Sequence, residues 1–112
     1  MKNNVYTTPL FDKKFKKFKR KFPSLENEID ELIKELKQNP KQGIDLGANI
    51  YKIKLASKSK GKGKSGGFRI ITYLIAEKKK ETEIYLITIY DKSEDSNIRK
   101  QIIIKLIKSI FE

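Results

Sequence analysis

The sequence predicts an α+β fold with a four-stranded sheet, antiparallel or at most mixed. An N-terminal helical hairpin packs on this sheet and a final helix closes the chain, in the order β-α-α-β-β-β-α. Three observations predict it. Two consecutive segments carry apolar residues at helical spacing, Phe11 to Phe22 and Leu25 to Leu36. Three later runs are rich in β-branched and aromatic residues and are separated by short polar stretches. The last segment, from Ile98 to Phe111, returns to helical periodicity. Adjacent strands joined by short turns pair antiparallel.

The elements follow in order. Val5–Thr7 reads as a short first strand. Thr8 is an N-cap and Pro9 takes the first helical position. Phe11, Phe15, Phe18 and Phe22 then make one helical stripe, with Lys13, Lys14, Lys16, Lys17, Lys19, Arg20 and Lys21 between them. The stripe predicts core packing, and the lysines a solvated face. Pro23 breaks the helix and Ser24 caps the next one. Glu26, Glu28, Asp30 and Glu31 suit its positive end, Lys34 and Lys37 its negative end. Leu25, Ile29, Leu32, Ile33 and Leu36 form its apolar stripe, and Asn39-Pro40 ends it.

Gly43 and Gly47 read as part of a loop leading to a strand at Ile50–Leu55. There Tyr51, Ile53 and Leu55 share one face while Lys52 and Lys54 point the other way. Residues 56–67 read as a flexible glycine–lysine loop. Phe68–Ala76 has the near-continuous apolar character of a central strand. Glu77–Glu81 is a charged turn, Glu83–Tyr90 a further strand, and Asp91–Ser96 a polar turn with Ser93 or Ser96 capping the last helix.

Composition narrows the function. The chain has 112 residues, read as one domain, with 26 Lys and Arg against 14 Asp and Glu, a net charge of +12. Such an excess favours a polyanionic partner. There is no cysteine and no histidine. Disulfides, the usual zinc sites and a Ser-His-Asp hydrolase are therefore excluded. Acid–base chemistry must use Lys, Arg, Tyr, Asp or Glu. No metal or cofactor is expected. No apolar run is long enough to cross a membrane, and no signal-peptide stretch opens the chain, so a cytoplasmic protein is expected.

Two phosphate-loop motifs are decoys. Gly61, Gly63 and Gly66 match G-x-G-x-x-G, but a strand follows them where the dinucleotide fingerprint needs a helix. Gly63-Lys64-Ser65 resembles a Walker A tail, yet the upstream glycine position holds Lys58.

Three segments carry a resemblance: Tyr51–Ser57, Lys58–Ile71 and Ile84–Glu94. In this order and spacing the chain resembles the RelE/ParE superfamily of bacterial toxins, and most closely its HigB-like, ribosome-dependent members, over roughly Phe11 to Asn97. The resemblance implies the toxin of a type II toxin–antitoxin pair. Such a toxin enters the ribosomal A site and cuts messenger RNA by attack of the substrate's own 2′-hydroxyl. It implies catalytic roles for Lys54, Arg69, Lys92 and Tyr90. Lys54 handles a proton or contacts phosphate. Arg69 holds the phosphate, and Tyr90 stacks on a base or donates a proton. RNA backbone contacts fall to Lys52, Lys58, Lys60, Lys62 and Lys64. The implied partners are the ribosome, messenger RNA and a cognate antitoxin with a helix-turn-helix or acidic segment; no membrane is involved. Two departures stand out: Ser93 replaces a second basic residue, and Asn97, Ile98 and Arg99 stand where some relatives have a tyrosine. Two other readings stay open, a gyrase inhibitor of the ParE type and a non-catalytic RNA- or ribosome-binding protein.

Overall fold

The computed structural model describes residues 2–61, 63–76, 81–93 and 98–112, without the side chain of Ser65. The elements run β1 (Lys2–Thr7), α1 (Pro9–Lys21), α2 (Leu25–Gln38), β2 (Ile44–Gly47), β3 (Ile50–Leu55), β4 (Phe68–Ala76), β5 (Glu81–Asp91) and α3 (Lys100–Phe111). A short 3₁₀ turn, Lys64–Gly66, precedes β4. Of the expected turn Glu77–Glu81, residues 77–80 lie outside the described residues and Glu81 opens β5 instead; the alternative cap Ser96, and Lys62 and Asn97, also lie outside them.

The sheet has five strands, not four, in the order β1-β5-β4-β3-β2. β2 through β5 pair antiparallel, and β1 lies parallel to β5. The sheet is thus mixed. The extra strand is Ile44–Gly47, expected as loop. It joins β3 through Ala48 and Asn49, both at positive φ (54° and 64°). Two successive positive φ values give the mirror-image turn whose twist matches paired strands. Asp45 supports it by accepting the Gly47 amide at 2.7 Å.

Both sheet faces are covered. Phe11, Phe18, Leu25, Ile29, Leu32 and Leu36 of the hairpin pack on Ile53, Phe68, Ile70, Leu74, Ile84, Leu86 and Ile89. On the opposite face Ile103 and Ile107 of α3 pack on Ile50, Ile71, Ile87 and Tyr90. Each fully buried Phe or Leu contributes about 1.5–3 kcal/mol. Phe18 and Phe22 both meet Phe68 edge-on, at centroid distances of 5.2 and 5.5 Å. The phenylalanine stripe is core, as its spacing predicts.

Thr8 caps α1 as expected, accepting the Phe11 amide at 3.1 Å. It also donates to the Ile87 carbonyl at 2.7 Å. Ile87 is the extra residue of a bulge, since Ile71 pairs with Thr88 but Thr72 with Leu86. One hydroxyl therefore starts a helix and satisfies a carbonyl the ladder leaves out. The other two expected caps differ. Ser24 sits at the N-cap position but in helical backbone, without a capping bond. Its hydroxyl reaches Glu28 and accepts the Ser59 amide at 2.9 Å. Ser93 bonds back to Asp91, and α3 begins after Arg99.

Candidate functional site

The pairing register creates the central feature. Lys54 lies opposite Arg69, and Arg69 opposite Tyr90. Residues directly opposed on neighbouring strands bring their side chains within about 5 Å at the β-carbon. Three of the four catalytic candidates thus form one row across β3, β4 and β5. Lys52 shares Lys54's face one step along β3, opposite Ile71. This is the α3 face, and of β3 it is Ile50 that joins the cluster under α3. Lys54 is exposed and Lys52 half-buried.

The row changes character as it crosses the sheet. Arg69 is only 4 % exposed and Tyr90 3 %. An Arg69 Nη1 donates to the Lys64 carbonyl at 2.7 Å and to the Phe68 carbonyl at 3.2 Å. Arg69 thereby ties the 3₁₀ turn to β4 and places a permanent charge below the rim. The Tyr90 ring belongs to the core under α3, so stacking on a base, one of its two expected roles, is not open to it in this conformation. Lys92 follows β5, where its amide donates to the Gly67 carbonyl at 3.1 Å. That bond holds the turn after β5 against the end of the lysine loop. Gly67 also lets the end of β3 come close: a β-carbon there collides with the Leu55 carbonyl oxygen.

An open pocket of about 480 Å³ runs along the edge of β3 beyond β2. Lys52, Lys54 and Lys64 line it, with Glu35, Gln42 and Ile44. Three lysines from two elements therefore converge on one cavity. Glu35 was not among the sequence candidates, because on α2 it reads as one more solvated acid. Only the packing of α2 beside β3 reveals it.

The expected loop lysines separate. Lys64 is exposed at the pocket, whereas Lys58 lies on the hairpin side, its amide donating to Glu28 at 2.8 Å. Lys60, expected to hold RNA, is instead buried. It pairs with Asp91, both side chains being nearly inaccessible (7 % and 5 % exposed). Its ammonium lies over the Phe68 ring at 5.0 Å and the Phe22 ring at 5.9 Å. Burial pushes the Asp91 carboxyl up, but hydrogen bonds from Lys60 and from the Ser93 amide and hydroxyl, with the Lys60 charge, outweigh that and hold it below its ordinary value. The segment expected to be a flexible loop is thus pinned at Lys58, Ser59 and Lys60.

What the fold and this rim define is a small basic α+β domain whose sheet edge gathers cations around an open pocket. Residues 9–109 match the family model described as the RelE toxin of the RelE / RelB toxin–antitoxin system. The chain belongs to this toxin family, and the family implies a cognate antitoxin of the RelB type as partner. Among the described residues, no helix is long and apolar enough to cross a membrane.

Proposed function

We propose that this toxin is a ribosome-dependent messenger RNA endonuclease. The observation that carries the reading is the convergence of Lys52, Lys54 and Lys64 on one pocket, next to the Lys54–Arg69–Tyr90 row. The reaction needs few parts. A base takes the proton of the substrate 2′-hydroxyl, and that oxygen attacks the adjacent phosphorus. The bond from phosphorus to the 5′ oxygen breaks, leaving a 2′,3′-cyclic phosphate, and the 5′ oxygen takes up a proton.

Two pocket groups accept protons, Lys54 in its neutral form and the Glu35 carboxylate. Lys52 and Lys64 supply point charges to the phosphate. Arg69 adds positive potential from below, where low dielectric extends its reach. For direct contact it exchanges the Lys64 carbonyl for a phosphate oxygen. Lys92, on the turn tied to Gly67, adds charge on the same side. Without histidine, orientation of the RNA by the ribosome supplies what side-chain chemistry lacks. A partner antitoxin silences the site through an acidic segment that covers these cations or displaces α3.

The test is translation of a defined messenger in vitro, with new 5′ ends mapped by primer extension. Wild type is expected to cut at A-site codons and to leave the same RNA intact without ribosomes. Efficient cleavage of naked RNA, or translation arrest without new ends, would overturn the proposal. Comparing Lys54→Ala with Glu35→Gln identifies the base: its loss costs the larger share of the cleavage rate.

A further inference from the structure

The two helices of the hairpin carry opposite charge. α1 bears Lys13, Lys14, Lys16, Lys17, Lys19, Arg20 and Lys21, with Asp12 as its acid. α2 bears Glu26, Glu28, Asp30, Glu31 and Glu35 against Lys34 and Lys37. Within α1 the cations are ordered. Lys13, Lys16, Lys17 and Arg20 stand at i, i+3, i+4 and i+7, one face of the helix. That face lies opposite the Phe11–Phe18 stripe, and all four are exposed. At 1.5 Å per residue they form a straight row roughly 10 Å long.

This row is unfavourable for the isolated fold. Like charges at i+3 and i+4 repel, and among the described residues none of the four has an ion-pair partner; the pair on this helix is Lys19 with Glu26, at 4.0 Å. A ligand is what relieves the repulsion, and the surroundings select its chemistry. The large hydrophobic side chains exposed on the described surface are Tyr6, Ile44, Ile102 and Phe111, none of them on α1. A folded protein partner docks through an apolar centre, where lysine is depleted, and α1 offers none. A membrane needs the helix's apolar face, and here that face is packed on the sheet. A nucleic-acid backbone needs only aligned cations.

We infer that the Lys13–Lys16–Lys17–Arg20 face of α1 is a second RNA-binding surface, docking on the phosphate backbone of structured RNA. It lies across the sheet from the Lys54–Arg69–Tyr90 row, so it does not hold the RNA being cut. The inference rests on the ribosome-dependent reading above and adds to it: the protein is gripped on two opposite sides. One side presents the messenger, and the other fixes the toxin in place.

The test compares two variants of equal charge. One replaces Lys13, Lys16, Lys17 and Arg20 by Gln; the other replaces Lys2, Lys37, Lys41 and Lys105, exposed but scattered. Cleavage on programmed ribosomes is measured against ribosome concentration, and binding to a plain RNA duplex against salt. For the α1 variant, KM for ribosomes should rise about tenfold or more with kcat nearly unchanged. Its salt slope on the duplex should fall by roughly 3, at about 0.7–0.9 per cation. The scattered variant should show neither change. If both variants behave alike while wild type cleaves on ribosomes, the surface fails and the nuclease reading stands. If wild type does not cleave but the α1 variant alone loses duplex binding, the nuclease reading fails and the surface stands. If the α1 variant loses affinity only for the antitoxin, the RNA surface is overturned in favour of a protein one.

Discussion

Lys54 stands exposed on β3 and lines an open pocket; Lys60, in the loop that follows, is buried against two phenylalanine rings and paired with Asp91. Both belong to one basic stretch and look alike in sequence. The strand fixes Lys54 through its register, which sets it beside Arg69 with nothing acidic opposite. The loop turns Lys60 inward, onto a carboxylate at the end of β5. Basic residues near a site thus divide into those that meet the ligand and those that hold the scaffold. Partner and burial decide between them, not charge.

The largest expected difference is in activity. Lys54→Ala should lower ribosome-dependent cleavage by about 10²–10³-fold, the size of losing one preorganised charge at a transition state. Its urea midpoint should hardly move, because an exposed lysine with no ion pair among the described residues contributes little to folding. Lys60→Met should show the opposite signature. Methionine keeps contact with Phe22 and Phe68, and Asp91 keeps its Ser93 bonds. Cleavage should then fall far less than for Lys54→Ala, while the urea midpoint drops. Equal loss of cleavage in both variants would erase the distinction.

Next in size is the scaffold half of the comparison. Asp91→Asn leaves the Lys60 ammonium under aromatic rings without its counter-charge. Breaking a buried pair in this way costs about 3 kcal/mol, less whatever Lys60 recovers by swinging into water. Urea unfolding should show a loss of roughly 2–3 kcal/mol. A loss no larger than that of an exposed carboxylate would mean that Lys60 is held by the rings rather than by charge.

The same pair has a pH signature. Asp91 is held below its ordinary value of 3.8, so its charged form is favoured in the folded state. Its contribution is whole at neutral pH. It shrinks once the unfolded chain takes up the proton, and is lost as pH falls through the folded value. The stability gap between wild type and Asp91→Asn should therefore be flat above about pH 5 and narrow below it. A gap that widens with acid would reverse the assigned sign.

Most of the fold was legible because its signals are local. The phenylalanine stripe, the Thr8–Pro9 start and the alternation of β3 all depend on near neighbours. The row of Lys54, Arg69 and Tyr90 was legible as residues, but its geometry depends on register. The burial of Tyr90 depends on α3, and the fate of Lys60 on Asp91, far along the chain. Glu35 is a pocket residue only because α2 packs beside β3. No sequence pattern carries those relations.

The missed strand has a local cause. A two-residue hairpin turn is usually announced by Asn-Gly or Asp-Gly, which accept positive φ. Here the turn is Ala48-Asn49, and Ala48 sits at φ 54°. Its β-carbon makes this left-handed conformation unfavourable by about 1–2 kcal/mol, a cost met by the pairing of β2 with β3. The hairpin therefore forms without the residue that normally marks it. Ala48→Asn should relieve part of that strain and raise stability by about 0.5 kcal/mol, since asparagine tolerates positive φ. Ala48→Val, β-branched at the same φ, should lower it by more than that. Thermal unfolding of both checks the turn, and a destabilised asparagine variant would mean that the strain lies elsewhere in the hairpin.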